Sequence, residues 1–159
     1  MIFATTGTQL PFPRLIAALD ALAPDLGERI VAQIGPDRGR YPNLETHATL
    51  SPAQFDALFA EARIVVAHAG IGSILSARRH GKPIVLMPRR FDQGEHRNDH
   101  QLATVRELEH RAGLSIAWAP EDLRALLAAP ATRTKATPDG PSESLTRLRD
   151  HLRDLIDSV

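Results

Sequence analysis

Short apolar runs separated by segments of helical periodicity predict an α/β protein, with a mostly parallel sheet of about six strands and helices on both faces. Two observations carry that prediction. Strand and helix signals alternate along most of the chain, as parallel strands joined by crossovers require. The runs are also apolar at consecutive positions, as in Ile64-Val65-Val66-Ala67 and Ile84-Val85-Leu86-Met87, the pattern of strands buried on both faces.

Ile2 to Thr5 is the first strand, and Pro13 to Ala23 the first helix. Arg29 to Ile34 and Asn43 to Ala48 read as the second and third strands. Ser51 serves as N-cap with Pro52 at the first helical position, so a helix runs from Ser51 to Glu61. Arg63 to Ala67 is the fourth strand, and Gly72 to His80 a helix closed by Gly81. Pro83 to Met87 follows as the fifth strand, then a helix from Arg97 closed by Gly113, a sixth strand from Leu114 to Trp118 and a helix from Pro120 to Leu127. The domain spans residues 1–129. A linker rich in proline, threonine, glycine and charge covers 130–141, and 142–159 forms a C-terminal amphipathic helix with Leu145, Leu148, Leu152, Leu155 and Ile156 on one side.

With 159 residues, 43% of them hydrophobic, the chain builds one domain with a real core. Lysine plus arginine equals aspartate plus glutamate at 19 each, so no overall basic field points to nucleic acid or an anionic membrane, and any phosphate recognition is local. The absence of cysteine excludes disulfides, thiolate metal sites and cysteine nucleophiles. No apolar run approaches the roughly 20 residues that cross a bilayer, and the segment Met1 to Gly7 lacks a basic region followed by a long apolar core, so a cytoplasmic protein is expected.

In an open parallel sheet, ligands bind outside the carboxyl ends of the strands, which singles out three loops. The first, Thr5-Thr6-Gly7-Thr8-Gln9, offers a flexible glycine with hydroxyl and amide groups, or else a polar turn capping the first helix. The second is His68-Ala69-Gly70-Ile71-Gly72-Ser73, where a buried strand stops at a histidine and a small-residue turn before a helix. Gly70 and Gly72 let the backbone approach a ligand, the helix N-terminus favours an anion, and His68 can donate to a phosphate oxygen. A histidine satisfied within the fold is the bland alternative. The third loop, Arg89 to Gln101, concentrates Glu95, His96, Asn98, Asp99, His100 and Gln101, groups suited to the hydroxyls of a sugar.

Glu95, His96, Asp99 and His100 have the types of metal ligands, with two histidines four apart, but lack the glutamate between them that zinc proteases use. No metal or cofactor is expected. NAD is disfavoured because Gly-x-Gly-x-x-Gly does not follow the first strand.

At these residues the sequence resembles the nucleotide-sugar-binding half of two-domain inverting glycosyltransferases of family 28. The likeness is greatest to small split members: the catalytic subunit of the eukaryotic dolichol-linked N-acetylglucosaminyltransferase, and bacterial exopolysaccharide glucuronosyltransferase subunits. It rests on Thr6-Gly7-Thr8-Gln9 with Pro11-Phe12, on His68 to Ser73, and on Gly94-Glu95-His96 with Asn98-Asp99-His100-Gln101, across Met1 to about Leu127. The resemblance implies a Rossmann-like domain equivalent to one half of a GT-B enzyme. Gly7, Thr8, Gln9, His68, Ala69, Gly70, Gly72 and Ser73 would hold the diphosphate of a UDP-sugar, with His68 stabilising the leaving group. Glu95, His96, Asn98, Asp99, His100 and Gln101 would face the ribose or the sugar. Where relatives often place a ribose-binding glutamate, eight residues after the motif histidine, this chain has Ser76.

The resemblance further implies a donor-binding catalytic subunit moving glucuronate, glucose or N-acetylglucosamine from UDP to a lipid-linked saccharide in polysaccharide biosynthesis. A membrane-anchored subunit would bind the acceptor, supply the base and hold this chain at the cytoplasmic membrane face. Arg89, Arg90 or Arg97 would pair with a glucuronate carboxylate. A non-catalytic nucleotide-binding module and a UDP-sugar hydrolase or epimerase are the alternatives.

Overall fold

The computed structural model describes residues 1–98, 100–108 and 113–129, so the expected linker and C-terminal helix, and Asp99, lie outside the described residues. Six strands form one sheet: β1 (Ile2–Thr5), β2 (Ile30–Gln33), β3 (Glu45–His47), β4 (Ile64–His68), β5 (Ile84–Met87) and β6 (Leu114–Ile116). The helices are α1 (Pro13–Leu26), α2 (Pro52–Glu61), α3 (Ile71–Arg79), α4 (His100–Leu108) and α5 (Asp122–Ala128), with a 3-10 turn at Phe91–Gln93. All pairings are parallel, in the order β3-β2-β1-β4-β5-β6. This is the Rossmann-like order, and its winding reverses between β1 and β4, which leaves a crevice at their carboxyl ends.

The consecutive apolar residues of each strand serve both faces. Ile2, Ala4, Ala32, Val66, Val85 and Met87 pack under Leu15, Ile16 and Leu19 of α1 and Leu123 and Leu127 of α5. Phe3, Val31, Val65, Ala67 and Leu86 point the other way, against Phe59 of α2, Ile74 and Ala77 of α3, and Val105 and Leu108 of α4. The site is therefore framed by strand ends fixed on two sides.

Several boundaries differ from the sequence expectation for visible reasons. Helix α1 continues through Pro24 to Leu26 rather than ending at Ala23. Proline cannot donate to the carbonyl of Asp20, but the side-chain amide of Asn43 does so at 3.2 Å. Helix α4 begins at His100 rather than Arg97, because the Asn98 side-chain oxygen accepts the His100 amide at 3.3 Å and the preceding residues turn separately. Strand β3 is shorter than expected and carries the exposed residues Glu45 and Thr46, as suits the sheet edge. The cap of α2 forms as read: Ser51 accepts the Gln54 amide, and the Gln54 side chain accepts the Ser51 amide.

Candidate functional site

The loops after β1 and β4 meet in the crevice. Together with the ends of β2, α2 and α3 they line an open cleft of about 530 Å³, whose walls include Thr5, Gly7, Gln33, Asp56, His68 and Ser73. Thr5 donates to the Gln33 side chain at 2.9 Å and accepts the Gly7 amide at 3.3 Å, tying the turn to two strand ends. Gly7 takes a positive φ of 75°. Gly35, after β2, sits so close that a Cβ there would meet the Gly7 carbonyl at 2.7 Å.

His68 closes β4 with its ring between the two glycine turns. Nδ1 lies 3.4 Å from the Thr5 carbonyl, while a Cβ on Gly7 would stand 3.2 Å from Cε1. Burial, reinforced by the Arg89 charge, pushes the imidazole down to about 4, so it is neutral near pH 7. With Nδ1–H turned to Thr5, a neutral ring presents an unprotonated Nε2.

Helix α3 starts beside this ring with Gly70 as N-cap. The Gly70 carbonyl takes the amides of Ser73 and Ile74, leaving those of Ile71 and Gly72 as the open donors of the helix. Two open backbone N–H groups at the positive end of the helix thus lie beside the His68 imidazole on the cleft wall, an arrangement that favours an anion.

Behind the Gly7 turn lies Arg89, only 2% exposed. Its guanidinium donates to the carbonyls of Thr6 (3.0 Å), Leu10 (2.8 Å), Pro11 and Glu95 (3.4 Å) and lies 4.6 Å from the Phe12 ring centroid. Arg89 is therefore a buried clamp on the loop rather than a cation facing a sugar carboxylate. Arg90 pairs with Asp92 at 2.9 Å on the surface.

Of the sequence-predicted residues, the structure brings Gly7, Thr8, His68, Gly72 and Ser73 together on the cleft wall. Gly70 is the N-cap of α3, Ala69 is buried, and Gln9 is exposed at the turn. Among the described residues, none of the third loop lines that wall. Glu95 is held by Arg14 at 2.7 and 2.8 Å and accepts the Arg90 amide at 3.0 Å, an engagement that fixes the loop. Gln101 accepts the Arg89 amide at 3.0 Å. His96 lies 3.1 Å from the Asn98 side chain and close enough to His68 to add to its depression. His100 and Asn98 are exposed. Among the described residues, no three histidine, aspartate or glutamate side chains converge to hold a metal.

Sequence reasoning missed Gln33, Gly35, Asp56 and Arg79. Gln33 had a readable signal, a polar residue ending an apolar strand, as His68 does.

The sequence profile described as the glycosyltransferase family 28 C-terminal domain matches residues 1–151. No curated protein matches the sequence. Among solved structures, the solution structure of ALG13 is 19% identical with a TM-score of 0.58, covering 92% of this chain and 93% of that one. A UDP-glucose:anthocyanidin 3-O-glucosyltransferase in complex with UDP has a TM-score of 0.61 at 13% identity, over 99% of this chain and 40% of that one. The glycosyltransferase SsfS6 of Streptomyces sp. SF2575, complexed with thymidine diphosphate, has a TM-score of 0.55 at 20% identity, over 99% and 37%. The chain thus spans well under half the length of these last two enzymes.

Proposed function

The chain belongs to the glycosyltransferase family 28 C-terminal domain family, and from that premise we propose that it is the donor-binding catalytic subunit of a two-component inverting glycosyltransferase that uses a UDP-sugar. One observation carries the reading: His68, the Gly7 turn and the open amides of α3 converge where the strand order reverses. These groups hold the diphosphate. As the glycosidic bond breaks, negative charge grows on the leaving UDP, and preorganised donors stabilise charge most where it develops. His68 enters neutral, gains a proton as the dianion approaches, and then donates from Nε2 while Nδ1 stays anchored on Thr5.

The reaction also needs a base to take the proton of the attacking acceptor hydroxyl, placed with both substrates in one cleft. In this reading a membrane-anchored second subunit supplies the base and binds a lipid-linked saccharide, and the segment 142–159 docks on it. In this reading Glu95 and Gln101 set the shape of the third loop, and recognition of the sugar falls to His96, Asn98, Asp99 and His100. Glucuronate, glucose and N-acetylglucosamine are the donor sugars to compare.

Calorimetric titration with UDP and the three UDP-sugars tests this reading. Binding that weakens on the order of tenfold in His68→Ala supports it, whereas binding indifferent to His68→Ala refutes the assigned site. With the second subunit and acceptor present, UDP should appear only when both are added. Free sugar released without acceptor would instead mark a hydrolase.

A further inference from the structure

The diphosphate site occupies one end of the cleft; the other end is built from α2 and the middle of α3. Ser76 and Arg79, three residues apart on α3, share a face and line the cleft there. Asp56 of α2 lines the same stretch and meets Arg79. Its Oδ1 accepts from Arg79 Nη2 at 2.5 Å and lies 3.3 Å from His80 Nε2. His80 is itself stacked on Phe59, with centroids 5.6 Å apart. Both contacts fall on Oδ1, and Oδ2 takes no donor among the described residues. Asp56 is the one acidic side chain among the described cleft residues, and its side chain is 49% exposed.

An ionised carboxylate accepts hydrogen bonds and donates none, so its complement on an uncharged part of a ligand is a hydroxyl. It also repels phosphate, which keeps the diphosphate at the start of α3. Gly72 and Ser76 differ by four residues, about 6 Å along the helix. Running along α3, the cleft therefore presents anion donors, then Ser76 roughly one turn on, and then Arg79 with the Asp56 carboxylate held on it. A nucleoside diphosphate has the matching order, with its phosphates followed directly by a hydroxylated pentose. Structural neighbours have been solved with UDP and with thymidine diphosphate, so the fold alone does not choose between ribose and deoxyribose.

Resting on the nucleotide reading above, we propose that Asp56 Oδ2 accepts the 2′-hydroxyl of the bound nucleotide, so that this chain selects a ribonucleoside diphosphate over its 2′-deoxy counterpart. Arg79 and His80 hold the carboxylate in place, and Ser76, with its short side chain, leaves room on the cleft wall for the pentose.

The test is titration of the full chain with UDP and with 2′-deoxy-UDP, in the unaltered protein and in Asp56→Ala. The unaltered protein should prefer UDP on the order of tenfold, the contribution of a hydrogen bond to a charged group. Asp56→Ala should abolish the preference by weakening UDP alone. Asp56→Asn, which preserves side-chain volume, serves if the alanine variant does not fold, and should shrink the ratio several-fold. Equal affinity of the unaltered protein for both ligands overturns the proposal but leaves the nucleotide reading intact. A preference that survives in the variants, or a loss striking both ligands equally, also overturns it, the latter marking Arg79 released from its partner. Failure of either nucleotide to bind the unaltered protein overturns this proposal and the nucleotide reading together.

Discussion

Gly70 and His68 are packed so closely that a Cβ on the glycine would collide with Nε2 of the imidazole. The N-cap of α3 and the last residue of β4 are therefore a single fitted unit, and the ring holds its position because Gly70 has no side chain. Gly70→Ala should force the ring away from Thr5 or push back the start of α3, destabilising the fold by about 1–3 kcal/mol and lowering UDP affinity at least tenfold. Gly72 is the control, since a Cβ there meets nothing within 4 Å. Gly72→Ala should melt at or above the temperature of the unaltered protein, as exchange of glycine for alanine in a helix favours the fold. Thermal melting of both variants checks the contrast.

The sheet and the His68 corner were legible because both are written in local sequence. Short, β-branched apolar runs such as Ile64 to Ala67 read as strands buried on both faces, and a polar residue that ends such a strand emerges at its carboxyl end. The role of Arg89 was not legible. An arginine in a polar loop looks solvated, and only the path of the chain after β1 brings the carbonyls of Thr6, Leu10 and Pro11, some 80 residues away in sequence, around its guanidinium. Asp56 was hidden for the same reason: nothing in α2 alone announces that Arg79 and Ser76 stand opposite. Glu95 illustrates a third case, in which the residue type fits a sugar ligand and the fold supplies Arg14 as its partner.

Arg89 should be among the most costly residues of the loop region to remove. Burial lowers the pKa of its guanidinium only to about 10, so it remains protonated at neutral pH. The energetic weight lies in what its loss strands: buried carbonyls without donors, a cavity beside Phe12, and a Gly7 turn with nothing behind it. Arg89→Ala should cost on the order of 3–5 kcal/mol in urea denaturation. Arg89→Lys should recover only part of this, because one ammonium cannot span the same fan of acceptors. The neighbouring Arg90→Ala breaks only a surface pair with Asp92 and should shift stability by less than about 1 kcal/mol. Equal losses at the two positions would overturn the assignment of Arg89 as the clamp.

The buried imidazole also dictates a pH dependence with a definite sign. In the unfolded chain His68 takes up a proton near the ordinary value of 6.5, whereas in the folded protein burial, and then the Arg89 charge, delay this to about 4. Between those values the unfolded state binds more protons, so stability contributed by His68 is complete above pH 6.5 and is lost as the pH falls towards 4. The loss attributable to this residue should reach about 2 kcal/mol by pH 5. Denaturation at pH 7.5 and pH 5 should therefore show a steeper decline for the unaltered protein than for His68→Gln, whose side chain does not titrate. Parallel declines would mean that the ring is solvated and takes up its proton at the usual value. Saturating UDP should reverse the effect in the unaltered protein, because the diphosphate charge favours the imidazolium, so that binding near pH 5.5 draws protons from the buffer. Calorimetry in buffers of different ionisation enthalpy reads that uptake directly, and its absence in His68→Gln assigns it to this histidine.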